Sequence, residues 1–127
     1  MSDEKSKELR TNITSAGKLE LSIVSVPMPQ PKDGEVLIRV EATPINPSDL
    51  GLLLGPADVS TMTTTGSGDD AVVSMDVPEA MMPAMAARVD KPLPAGNEGA
   101  GVVIAAGAGA EDMVGETIGV AGGAMYS

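Results

Sequence analysis

Apolar and polar positions alternate cleanly in two stretches of the first third of the chain. Leu19, Leu21 and Ile23 are interleaved with Glu20 and Ser22. Val36, Ile38, Val40 and Ala42 fall on one side of a strand, with Glu35, Leu37, Arg39 and Glu41 on the other. A strand turns successive side chains to opposite faces, so both stretches predict half-buried β-strands, the second more cleanly. Residues 7–13 read as an earlier strand. The cluster Ser15-Ala16-Gly17-Lys18 joins it to the next in a hairpin with a longer loop. Pro27, Pro29 and Pro31 then cannot donate to a ladder and hold the chain extended, which makes residues 27–34 a stiff connector.

Pro44 and Pro47 stop the strand at 36–42. Pro47 suits the first position of a helix, and a short helix through Leu52, Leu53 and Leu54 is expected, ended by Gly55-Pro56. Residues 57–94 are of another kind. Residues 61–70 are polar and of low complexity, which predicts a mobile loop. Residues 71–76 read as a short strand. Met81, Met82 and Met85 are spaced as on a helix, but Pro83 interrupts them, so a helical turn at most is expected. Residues 99–107 read as a small-residue strand that another group can approach closely. Turns at 107–110 and at Gly122-Gly123 flank a last strand at 117–121. Many short strands, one Pro-rich connector and little helix predict a mainly β, barrel-like domain.

Composition narrows the functions. The chain of 127 residues has the length of about one domain. Its single aromatic residue is Tyr126, so Val, Ile, Leu, Met and Ala must build the core, and modest stability is expected. A net charge of -10 repels phosphate backbones and anionic membrane surfaces, which argues against nucleic-acid or membrane partners. No long uncharged apolar run predicts a membrane span, and the polar N-terminus has no signal-peptide core, so the cytoplasm is the expected compartment. The chain contains no Cys and no His. Disulfides, thiolate nucleophiles and imidazole bases are excluded, and a tetrahedral zinc site loses its usual ligands. Gly107-Ala108-Gly109 lacks the third glycine and the following helix of a dinucleotide loop; a tight turn explains it better.

Two blocks carry a resemblance. Val36-Leu37-Ile38-Arg39-Val40 leads into Asn46-Pro47-Ser48-Asp49, and Gly96-Asn97-Glu98-Gly99-Ala100-Gly101-Val102-Val103 continues to Gly107. Their order and spacing resemble the GroES-like catalytic domain of medium-chain dehydrogenases/reductases. In the zinc alcohol dehydrogenases of that superfamily the second block reads Gly-His-Glu, two residues, Gly, five residues, Gly. Each fixed position matches here except the histidine, which is Asn97. Val114-Gly115-Glu116-Thr117-Ile118 resembles the Val-Gly-Asp-Arg-Val turn of the family, and Gly122-Gly123-Ala124-Met125-Tyr126 the strand that follows it.

The departures are informative. Asn46 stands where the zinc enzymes carry a cysteine and Asn97 where they carry a histidine, so both catalytic metal ligands are missing. The resemblance thus points to the zinc-free branches, the quinone oxidoreductases and 2-enoyl thioester reductases. The Asn-Pro-Ser-Asp and Gly-Asn-Glu-Gly blocks are closest to the enoyl reductases. The tyrosine those enzymes place after the first block is absent from Gly55-Pro56-Ala57-Asp58, which favours a quinone-oxidoreductase-like reading. By resemblance the fold is a partly open GroES-like β-barrel with short helices. Residues 1–8 would be a flexible tail and residues 9–127 the incomplete catalytic domain, carrying an inserted loop at about 57–92. No Rossmann domain is present.

The implied reaction is hydride transfer from NADPH, without zinc, to a small-molecule acceptor. Hydrogen-bond donors would replace the metal as the stabiliser of charge on the acceptor. Asn46 and Ser48 are the catalytic candidates. Asn46 and Pro47 would meet the cofactor, and Asn97 and Glu98 would support the substrate cleft, Glu98 pairing with an arginine of the absent domain. No metal-ligating residue is assigned. Against these stand plainer roles: Asn before Pro starts turns, and Ser48 and Asp49 suit the start of a helix. For residues 57–92 two readings stand side by side, a Met-lined acceptor pocket and a disordered surface insertion. The parent protein would be the enzyme and this polypeptide alone inactive. The competing class is a stand-alone, non-catalytic GroES-like binding or assembly domain, for which a homodimer through the C-terminal edge is conceivable.

Overall fold

A computed structural model describes residues 4–127. Eight strands and one short helix follow in order: β1 (Lys5–Ile13), β2 (Lys18–Pro27), β3 (Val36–Ala42), α1 (Pro47–Leu53), β4 (Asp58–Thr65), β5 (Val72–Asp76), β6 (Leu93–Pro94), β7 (Glu98–Ala106) and β8 (Thr117–Ala121). They form a five-stranded sheet in the order β4-β5-β2-β1-β6 and a three-stranded sheet in the order β3-β7-β8, with antiparallel neighbours throughout. The described strands close no barrel, and the architecture is mainly β and consistent with a partly open GroES-like fold. Among the described residues no helix is long and apolar enough to cross a membrane.

The hairpin β1–β2 sets the core through its register. Ile13 pairs with Leu19, and Leu19 pairs in turn with Met75 of β5, so three apolar side chains stand in one row across the sheet. All three are essentially inaccessible, and Val77 completes the cluster. Complete burial of such a side chain is worth roughly 1.5–3 kcal/mol. Leu54 and Ala57 after α1, together with Met82, Met85 and Val89, pack on the same cluster. The Met-rich segment therefore folds as two 3₁₀ turns, Glu79–Met81 and Pro83–Arg88, that cover the core. The Nη2 of Arg88 ties the second turn to the carbonyl of Leu52 at 3.2 Å.

Two expectations need correction. The polar segment 61–70 is not a loop throughout, since β4 runs to Thr65 and pairs with β5, Thr63 opposite Ser74 and Thr65 opposite Val72. Threonine is β-branched and suits the pleated surface, which outweighs the low complexity of the stretch. Where the ladder is irregular between Asp58 and Thr63, the Thr61 hydroxyl accepts the Asp76 N–H at 2.7 Å and fills the gap. The expectation of a flexible tail over residues 1–8 also fails for its second half. Lys5 to Glu8 belong to β1 and pair with residues from Pro27 to Val24 of β2; residues 1–3 lie outside the described part.

The smaller sheet is built differently. Gly101 faces Val40, and a Cβ on it would sit 2.1 Å from the Arg39 carbonyl oxygen, inside any tolerable contact. The small-residue strand thus lies against a backbone. Of its side chains only Val103 is fully buried among the larger apolar residues, while Ile104 is exposed. This sheet brings the start of β7 beside the start of α1.

Candidate functional site

Three separate segments meet at the site. The first is the loop from Pro44 into α1. Pro47 occupies the first helical turn, where its missing N–H leaves no bond unmade. The carbonyl of Asn46 accepts the N–H groups of Asp49 and Leu50 at 3.0 and 3.2 Å. In return the Asn46 N–H donates to Asp49 Oδ2 at 2.8 Å. Asp49 is 1% exposed, a buried carboxylate held at the positive end of the helix.

The second segment is the entry to β7. Asn97 Nδ2 donates to Asp49 Oδ1 at 2.8 Å and more loosely to Ser48 Oγ at 3.4 Å. Asn46 Nδ2 donates to Glu98 Oε1 at 2.9 Å. Each of the two asparagines is thus bonded to the other's segment. Asp49 has a donor on each oxygen, the condition for keeping a carboxylate buried. Glu98, expected to await an arginine, is bonded here to Asn46.

The third segment was not anticipated. Tyr126 donates its hydroxyl to the Pro44 carbonyl at 3.0 Å. Burial raises its pKa above the ordinary tyrosine value, and the neighbouring Asp49 carboxylate raises it further. The signal in the sequence was that Tyr126 is the sole aromatic residue, but nothing in the spacing said where it would reach.

The structure therefore brings Asn46, Ser48, Asn97 and Glu98 together, with Pro47 shaping the turn between the first two. Asn46 is half-buried, and the other four are exposed. Of these residues only Glu98 lines a neighbouring cleft of about 640 Å³, walled also by Thr43, Pro44, Gly99 and Val120, among others, with no residue from 57–92 in its lining. Met82 and Met85 pack on the core of the larger sheet instead of lining this cleft.

Donor counting shows what the arrangement can do. An amide nitrogen carries two hydrogens, so Asn46 keeps one for a ligand after bonding Glu98. Both hydrogens of the Asn97 amide are directed at Asp49 and Ser48. Ser48 Oγ accepts that bond and retains its own hydrogen for donation. Neutral donors of this kind match a carbonyl or carboxamide oxygen. They do not match zinc, and no group of three or more metal-binding side chains occurs among the described residues. The Glu98 carboxylate opposes a phosphate at the same place.

No family model matches the chain. A stretch of 34 residues is 62% identical to a zinc-type alcohol dehydrogenase-like protein of Schizosaccharomyces pombe, covering 27% of this chain and 10% of that protein. This local similarity supports a dehydrogenase/reductase-type domain of the medium-chain superfamily. The zinc in that name is said of the yeast protein, whereas the present chain has neither Cys nor His.

Proposed function

We propose that this chain is the catalytic-side domain of a zinc-independent, NADPH-dependent cytoplasmic oxidoreductase that reduces a quinone, an enone or an enoyl thioester. The observation that carries the reading is the meeting of Asn46 with Glu98 and of Asn97 with Ser48 and Asp49. These are the two blocks in which the zinc enzymes keep their metal ligands. Here they present amides and a hydroxyl in one open face.

When bound, NADPH supplies the hydride. The spare N–H of Asn46 would hold the carbonyl oxygen of the acceptor or the carboxamide of the nicotinamide ring. A fixed donor of this kind stabilises negative charge as it develops on oxygen. Ser48 would offer its remaining hydrogen to the same oxygen. Pro47 fixes the backbone between them, and Asn97 and Glu98 set the direction of the two donor groups. The chain has no glycine-rich phosphate loop, so the pyrophosphate of the cofactor falls to another domain of the parent protein.

The test is acceptor-dependent NADPH oxidation by the full-length gene product, with quinones, enones and enoyl thioesters, in the presence of a metal chelator. Turnover that survives chelation supports the reading. Absence of turnover with every acceptor class, or its abolition by the chelator, refutes it. Calorimetric titration of this chain alone should show no NADPH binding.

A further inference from the structure

We propose that Tyr126 is a positioning residue for Asn46, acting as a strut that fixes the loop from Pro44 to Asn46 against the rest of the site. This rests on the role given to Asn46 above. The backbone of Tyr126 is held on both sides: its N–H donates to the Ala95 carbonyl at 3.0 Å, and its carbonyl accepts the Leu9 N–H at 2.8 Å. One bond anchors it to β1 of the larger sheet, the other to the turn that leads into Asn97. Its side chain then crosses to the Pro44 carbonyl and lies against Asp49.

The approach is possible only because residue 96 is glycine. Gly96 is buried and has a φ of +98°, and a Cβ there would lie 2.8 Å from the Tyr126 nitrogen and 2.9 Å from its ring. Tyr126 therefore touches every segment that builds the site: the 95–97 turn, the Pro44 loop and the first turn of α1. Proline at 44 and 47 leaves the loop few backbone donors of its own, so the bond to the Pro44 carbonyl is an anchor that loop could not make internally. The charged group that acts on the phenol is Asp49 on α1; Lys7 and Glu8 on β1 and Glu41 on β3 line a second open cleft together with Tyr126. Glu98 is one bond further away, through Asn46.

The absence of any other aromatic residue makes the phenol directly observable by absorbance. The experiment is an alkaline titration of Tyr126 in the 127-residue chain and in Asp49→Asn, with Asp49→Glu as the rescue. It is joined by amide hydrogen exchange in Tyr126→Phe. The strut predicts a titration midpoint above that of a free tyrosine, a fall in Asp49→Asn and recovery in Asp49→Glu. In Tyr126→Phe, exchange at the Asn46 N–H should quicken about fivefold, the scale of one lost hydrogen bond, while the amides of Leu19 and Met75 keep their rates. An ordinary midpoint indifferent to Asp49, or an Asn46 amide unaffected by Tyr126→Phe, overturns the proposal. Should a variant fail to fold, the wild-type midpoint decides. No arm uses NADPH or an acceptor, so failure of the strut and failure of the reductase reading are separate results.

Discussion

The two sheets divide the work of the molecule. The larger one holds the buried row Ile13, Leu19 and Met75 and is covered by the Met82 and Met85 turns. The smaller one buries Val103 and little else of size, packs backbone on backbone at Gly101, and carries the polar site at the mouth of β7. Apolar volume stabilises the first; absence of volume allows the second. A site of exposed amides and hydroxyls adds little to stability, and the larger sheet supplies what the smaller lacks.

Substitutions can break this contrast. Leu19→Ala should cost about 2–5 kcal/mol in urea denaturation, the range for a large apolar side chain removed from a core. Val103→Ala should cost less, about 1–3 kcal/mol, since fewer atoms are removed. Equal losses would mean that the smaller sheet carries as much of the core as the larger. Gly101→Ala should be damaging for the opposite reason. The added methyl meets a carbonyl that cannot move without breaking the β3–β7 ladder, at about 1–3 kcal/mol or more. Gly119→Ala, with open space where its Cβ would be, should stay within about 0.5 kcal/mol in the same denaturation series.

The pH dependence is the smallest effect and sharpens the comparison at both ends of the scale. The Tyr126 pKa is raised in the folded chain, so its neutral form contributes stability below the unfolded value, and that contribution is lost as pH rises through the folded value. Alkaline unfolding monitored by circular dichroism should therefore start at lower pH in wild type than in Asp49→Asn, at matched neutral-pH stability, because the larger upward shift loses more stability as the phenol ionises. Asp58 behaves oppositely. Hydrogen bonds from the Ser60 side chain and N–H lower its pKa, and the resulting stability is present above the unfolded value and lost as pH falls through the folded one. Because Asp58 is exposed, Ser60→Ala should raise the Asp58 carboxyl pKa, read by NMR titration, with hardly any change in stability.

The division was partly legible in the sequence. The last strand, 117–121, and the helix opened by Pro47 follow from local signals alone, because alternation, proline and glycine act within a few residues. The strand at 58–65 was hidden, since a run of threonines reads as a loop until β5 is there to pair with it. The five-plus-three partition was hidden as well, because which strands pair depends on contacts distant in sequence. The Asn46–Glu98 bond spans 52 residues and was suggested only by the family-like blocks, never by the residues taken alone. Tyr126 was visible as the lone aromatic, but its reach back to Pro44 exists only in three dimensions.

The central claim is that the amide of Asn46 serves chemistry and not the fold. The most direct measurement is kcat, with the urea midpoint, for Asn46→Ser in the full-length parent protein under the proposed reductase assay; serine keeps a helix-capping side chain while shortening the donor. The account predicts a fall in kcat of about 10²–10³ with the midpoint unchanged, as when one oxyanion donor is removed. An unchanged kcat, or a midpoint that falls in step with activity, would contradict it.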